Sequence, residues 1–200
     1  MAAPENKNIS DLNGKWVLNS RLSEPTGPTL SLQSVGWMTQ KLISAATITI
    51  QITQYSLPAE VFHGAEADKN VVHINIEQTL TKNLKGTAEQ RCLDNEWHEH
   101  SDWLFGQVRG KAKWASYEEL GGDDLKAGWL ENENEAVGPS RRTHILCRVE
   151  SLERGWVANE VWGFQMINNE RRYVRIVVVT SGGKLSRMRL VYDWIGFDVK

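Results

Sequence analysis

The stretch Leu12-Asn13-Gly14-Lys15-Trp16, followed by Val35-Gly36-Trp37-Met38-Thr39-Gln40-Lys41 and then Ala46-Thr47-Ile48-Thr49-Ile50, decides the fold. From Lys15 to Ser20 the residues alternate, with Trp16, Leu18 and Ser20 on one face, which predicts a half-buried first strand. Ser23-Glu24-Pro25-Thr26-Gly27-Pro28 breaks it. Between Thr29 and Ala45 the apolar residues Leu32, Val35, Leu42 and Ile43 fall at helical spacing, interrupted by Gly36, which predicts two short helices forming a lid. Strict alternation returns from Thr47 to Tyr55.

Further strands are predicted at Val71 to Leu80, Lys85 to Leu93, Trp103 to Trp114 with bends at Gly106 and Gly110, Thr143 to Glu150, Trp156 to Ile167, Tyr173 to Thr180 and Arg187 to Ile195. Turns at Arg154-Gly155, Asn168-Asn169 and Ser181-Gly182-Gly183 are short, so neighbouring strands run antiparallel. The result is an all-β chain of roughly nine or ten strands, with residues 1–200 in one domain. Tyr117 to Arg142 is the irregular part, an acidic loop around an apolar island at Trp129, and its length points to function or mobility.

Composition narrows the partners. Net charge is -2, from 23 basic and 25 acidic residues, with no block of like charge, which argues against a nucleic-acid face or a membrane-surface helix. The N-terminus carries no apolar run, and no segment reaches the length needed to insert in a membrane, so a cytoplasmic protein is expected. Cys92 and Cys147 are far apart and outside any zinc spacing, which fits a reducing compartment. Nine tryptophans are the outlier, supplying flat apolar area to a core or a cavity wall.

The Gly-x-Trp start, the Gly-x-x-Thr-x-Lys helix at Gly36, Thr39 and Lys41, and the strand Val72-His73-Ile74-Asn75-Ile76-Glu77 together resemble the intracellular fatty-acid-binding proteins of the calycin superfamily. Leu93-Asp94-Asn95-Glu96-Trp97-His98-Glu99 resembles the turn after that family's fourth strand. The resemblance covers about half the chain and implies a closed antiparallel barrel around a cavity for a small lipophilic molecule, with Trp16 buried at its closed end. That family holds a carboxylate with an Arg-x-Tyr pair, whereas Arg189 and Tyr192 here are three apart and fall on opposite strand faces. Glu160-Val161-Trp162-Gly163-Phe164 and Glu170-Arg171-Arg172-Tyr173-Val174-Arg175 resemble the fungal lipocalin-like proteins that include hetero-Diels-Alderases of tropolone-sesquiterpene pathways. That likeness implies a cofactor-free cyclase that holds a terpenoid or polyene beside an electron-poor quinone-methide-like partner. A non-catalytic carrier of a lipid or small hydrophobe is the competing reading, and a homo-oligomer is left open.

Candidate site residues follow from strand faces. Trp156, Ala158, Glu160, Trp162, Phe164 and Met166 share one face, and a carboxylate amid such groups either finds a partner or has its pKa raised. Arg171, Tyr173, Arg175 and Val177 alternate likewise, so Tyr173 and Arg175 either polarise a ligand oxygen or face water. On the last strand, Tyr192 is the cavity hydroxyl if the apolar face points inward; otherwise Arg189 is the cavity group. Glu96, His98, His100 and Asp102 alternate, and His-x-His is a spacing used for metals, but in a polar turn such groups are usually solvated; since imidazole as a residue type titrates near neutral pH, His98 or His100 is instead a candidate acid or base. The expected catalytic set is therefore Tyr173, Arg175, Tyr192, Glu160 and His98, with Trp37, Trp97, Trp103, Trp162, Phe164 and Arg189 contacting ligand. No metal and no cofactor are expected. Phosphate-loop, nucleophile-elbow and zincin patterns do not occur.

Overall fold

In a computed structural model of the protein, which describes residues 1–58, 70–81, 86–132 and 134–197, the glycine two residues before Trp16 has a clear physical cause. Gly14 adopts φ +123°, and a Cβ there would lie 2.2 Å from Cη2 of Trp194, so only glycine fits both the backbone and the packing. The space admits an aromatic cluster. Trp16 packs with its ring centroid 4.8 Å from Trp194 and 5.2 Å from Tyr173, and its indole N–H donates to the Leu12 carbonyl at 2.9 Å. Ala3, Ile9 and Leu12 of the N-terminal segment join the same core, so that segment plugs one end of the molecule.

Strand β1 (Gly14–Leu18) leads into α1 (Gly27–Leu32) and α2 (Trp37–Ala45), the helical pair anticipated from the sequence. The strands β2 (Ile48–Pro58), β3 (Asn70–Leu80), β4 (Ala88–Cys92), β5 (His98–Asp102), β6 (Gly106–Ala115), β7 (His144–Ser151), β8 (Trp156–Ile167), β9 (Glu170–Ser181) and β10 (Lys184–Gly196) follow. All pair antiparallel in one sheet, in the order β4-β3-β2-β1-β10-β9-β8-β7-β6-β5. Because β1 pairs with both β2 and β10, the chain ends meet in mid-sheet and the sheet curls into a calycin-type barrel.

Four expectations need correction. The barrel is not fully closed: β4 and β5 are the two ends of the strand order, and among the described residues no ladder joins them. The stretch after Leu93 is a turn only as far as Trp97, since His98 to Asp102 form β5, paired with β6. Trp103 belongs to the turn before β6, whose Gly106 takes φ +77°. Lys85, where the fourth strand was expected to begin, lies outside the described residues.

The acidic loop is the fourth correction, because it is a packed layer. Leu120, Leu125 and Trp129 cover Val161, Val174, Ile176, Val178 and Val191 on the outer face of β8, β9 and β10. Trp129 donates to the Leu125 carbonyl at 2.7 Å, and Gln165 donates to the Ala127 carbonyl at 2.7 Å. This cover explains why β9 reads as a continuous valine run: one face of the strand fills the barrel and the other lies under the loop.

Candidate active site

The barrel interior is divided. Trp16, Ile50, Ile52, Ile74, Ile76, Trp162, Phe164, Tyr173 and Trp194 fill the plugged half. The half beneath the helical lid holds a cavity of about 170 Å3, with room for roughly a dozen water-sized groups. Most of its wall is apolar, built by Leu18, Leu30, Ile43, Phe105, Trp156 and Met188 with their neighbours. The period of two delivers these side chains, since Met188, Leu190 and Tyr192 of β10 line the space while Arg187 turns out to pair with Glu24 at 2.9 Å.

Into this wall the fold brings a small set of charges. Glu89 and Arg91 come from β4, His100 and Asp102 from β5, Glu160 from β8, Arg175 from β9 and Tyr192 from β10. Arg91 contacts Glu89 at 3.2 Å. Arg175 lies 3.7 Å from Glu89 and 3.8 Å from Glu160. Its Nε donates to the Tyr173 hydroxyl at 2.9 Å, and its guanidinium sits over the Trp162 ring at 4.1 Å. Arg175 is 3% exposed and Arg91 8%. Arg175 Nη2 and Arg91 Nε nevertheless have no hydrogen-bond partner among the described residues, and a buried donor left unsatisfied costs about 1–3 kcal/mol.

The two carboxylates diverge. Burial raises the pKa of Glu160, and Arg175 only partly offsets the effect. Burial acts on Glu89 too, but Arg91, Arg175 and His100 together outweigh it and hold that carboxyl below its ordinary value. Burial and Arg91 push His100 down, toward the neutral imidazole. Burial lifts the Tyr192 phenol to about 12 and raises Tyr173 as well, so both stay protonated donors. The cluster therefore sets two guanidiniums, Arg91 and Arg175, beside the Glu89, Asp102 and Glu160 carboxyls, with Glu160 biased by burial toward its acid form.

The sequence-predicted residues are distributed unevenly around this cluster. Arg175, Tyr192 and Glu160 line the cavity, and Tyr173 is directly behind it, touching Arg175. Trp162 and Phe164 are fully buried, Trp162 beneath Arg175 and Phe164 in the plugged half. His98 lies at the other end of β5, beside a small void shared with Cys92 and Gly110, and approaches Asp94 at 2.8 Å. Trp37 is 64% exposed on α2 with Lys41 over its ring. Trp97 stacks with Arg109 and Lys111 on the surface, and the half-exposed Trp103 donates to the Gly86 carbonyl. Arg189 alternates to the face of β10 opposite Tyr192, where its backbone N–H donates to Glu24.

Glu89 and Arg91 escaped the sequence reading. They alternate in Ala88-Glu89-Gln90-Arg91-Cys92, but a short polar strand gives no hydrophobic sign of which face turns inward. The guanidinium beside Tyr192 is Arg175 of the neighbouring strand, 5.5 Å from the Tyr192 ring centroid.

No family model matches the chain. Over 195 residues it is 29% identical to the "Probable pericyclase scpY" of Mollisia scopiformis, covering 98% of this chain and 95% of that protein. Over 197 residues it is 26% identical to the "Pericyclase pydY" of Acremonium sp, covering 98% of each. Among solved structures, the fatty acid transporter REP1-NXSQ superposes with a TM-score of 0.52 at 13% identity, covering 95% of this chain and all of that one. The wild-type fluorescent protein UnaG gives a TM-score of 0.53 at 12% identity, covering 92% and 97% of the two chains. At such identities the structural likeness speaks for the fold alone. The chain thus shares the barrel fold of the fatty acid transporter and of UnaG and is similar from end to end to two proteins named as pericyclases.

Proposed function

We propose that this protein is a pericyclase that works without a cofactor, folding or joining a lipophilic polyene or terpenoid in the barrel cavity by a Diels-Alder or hetero-Diels-Alder cycloaddition. The observation that carries the reading is the pair of buried guanidiniums, Arg91 and Arg175, set with the Tyr192 phenol in the wall of a mostly apolar cavity. The end-to-end similarity to two pericyclases supports the reaction class.

In this reading the apolar wall holds the reacting carbons in a near-attack geometry. Well-oriented intramolecular reactions gain on the order of 7–11 kcal/mol from such positioning. Arg175 and Tyr192 hydrogen-bond a carbonyl or quinone-methide oxygen on the electron-poor partner and stabilise the charge that grows there in the transition state. Glu160, biased toward the acid form, gives its proton to a leaving hydroxyl, which departs as water, and the resulting carboxylate takes the acidic O–H proton of the precursor when the reactive partner arises by dehydration. Glu89 stays ionised and holds the two arginines in place.

The test is to supply a linear or paired polyene precursor carrying an electron-poor carbonyl or quinone methide and to measure product rate and stereochemical ratio with and without protein. Acceleration or a changed ratio supports the pericyclase. Binding without either change refutes it and supports a second reading, a carrier in which Arg91 and Arg175 anchor a carboxylate.

A further inference from the structure

A second cluster lies outside the cavity, where the open seam of the barrel is bridged. Cys92 ends β4, Asp94 sits in the following turn and His98 begins β5. A ligating atom from each lies within 4.8 Å of the others. The fold adds a fourth group that the sequence alone does not bring near, since β3 pairs His73 opposite Cys92 and places Nε2 of His73 3.9 Å from Sγ of Cys92. Cys92 and His73 are buried, while Asp94 and His98 are partly covered.

We propose that Cys92, Asp94, His98 and His73 form a tetrahedral site for a zinc-class divalent cation that clamps β3, β4 and β5 together across the seam. The ligand chemistry fits, because thiolate, carboxylate and two imidazoles together balance a divalent charge, which a mostly buried site requires. The geometry needs adjustment, most of all at His73, which approaches Cys92 but is not among the three residues whose ligating atoms all lie within 4.8 Å of one another. Tetrahedral zinc with ordinary bond lengths sets sulfur and nitrogen about 3.6 Å apart, and nitrogen and oxygen about 3.4 Å apart. The Cys92–His73 separation of 3.9 Å must close slightly, and the Asp94–His98 separation of 2.8 Å must open slightly. Without metal the same groups share protons, and binding the cation replaces those protons.

The expectation of no metal came from weighing His98 with His100. The strand pairing instead groups His98 with the end of β4 and with β3, while His100 faces the cavity. The clamp would serve the seam, where among the described residues no ladder joins β4 and β5 and where Glu89, Arg91, His100 and Asp102 of the cavity are carried.

The test is to strip the full-length protein with a chelator and titrate it with cobalt(II). A thiolate-to-cobalt charge-transfer band and tetrahedral d–d absorption should rise to an end point at one equivalent. Zinc at a hundredfold excess over its Kd should raise the thermal midpoint by about 5–10 °C. Cys92→Ser should abolish the charge-transfer band, and His98→Gln should weaken binding at least tenfold. Absence of the band together with an unchanged midpoint overturns the proposal, whatever the variants do. A band that survives in Cys92→Ser, or cobalt bound without thiolate absorption, overturns the ligand set.

Discussion

Replacing Arg175 by methionine removes the charge while keeping an unbranched side chain over the Trp162 ring, so it isolates what the guanidinium does. Three contacts vanish: the 2.9 Å bond to the Tyr173 hydroxyl and the approaches of 3.7 Å to Glu89 and 3.8 Å to Glu160. Losing one charge-stabilising donor slows an enzyme by ten- to a thousandfold, or about 1.4–4 kcal/mol of transition-state stabilisation. Removing one member of a buried ion pair typically costs about 3–5 kcal/mol. Here the cost should fall at or below the low end, because Glu89 keeps Arg91 and Glu160 can take up a proton. Arg175 is also the largest influence holding the Glu160 pKa down against burial, so its loss should raise that pKa further. The assay is product rate and stereochemical ratio on a polyene precursor, with thermal denaturation run in parallel. Turnover within twofold of wild type in a folded Arg175→Met protein would refute the assigned role.

Glu160→Gln should remove a descending limb from the pH-rate profile, because the acid form raised by burial loses its proton as pH increases; a profile unchanged by the substitution would exclude Glu160 as the acid. Acid should loosen the outer cover. Burial lowers His144 from 6.5 to about 4, so the unfolded chain binds the extra proton and stability falls as pH drops between these values, by roughly 3 kcal/mol in total. Denaturant melts of wild type and His144→Gln across pH 4–7 should show a shallower loss of stability in the variant, the remainder coming from partly buried imidazoles such as His100. Trp16→Ala should cost about 3–5 kcal/mol, as large aromatic truncations in cores do, and Gly14→Ala about 1–3 kcal/mol from the collision with Trp194; urea melts that leave either variant as stable as wild type would contradict the packing. A neutral terpene should perturb tryptophan emission through Trp156, the indole on the cavity wall, and Trp156→Phe should remove most of that response.

Periodicity by itself determined a good deal of this protein. The alternation around Trp16, the helical spacing on either side of Gly36 and the valine-rich run at Tyr173 to Thr180 report local burial, and local burial specifies strands, lid and antiparallel order. The same rule placed Glu160 with Trp162, and Tyr173 with Arg175, on single strand faces, because side chains two apart must point the same way. Sequence could not say which face of β10 turned inward, since both faces carry large residues. The choice of Tyr192 over Arg189 was made by packing against β9, whose Tyr173 lies opposite Tyr192. Nor could sequence bring Glu89 and Arg91 to Arg175, or His73 to Cys92, because these meetings depend on sheet curvature and on register between strands far apart in the chain. The acidic loop read as irregular, around an apolar island at Trp129, because its charges dominate its composition. Its few apolar residues, Leu120, Leu125 and Trp129, decide its place, since burying them covers a strand face that would otherwise be left exposed to water.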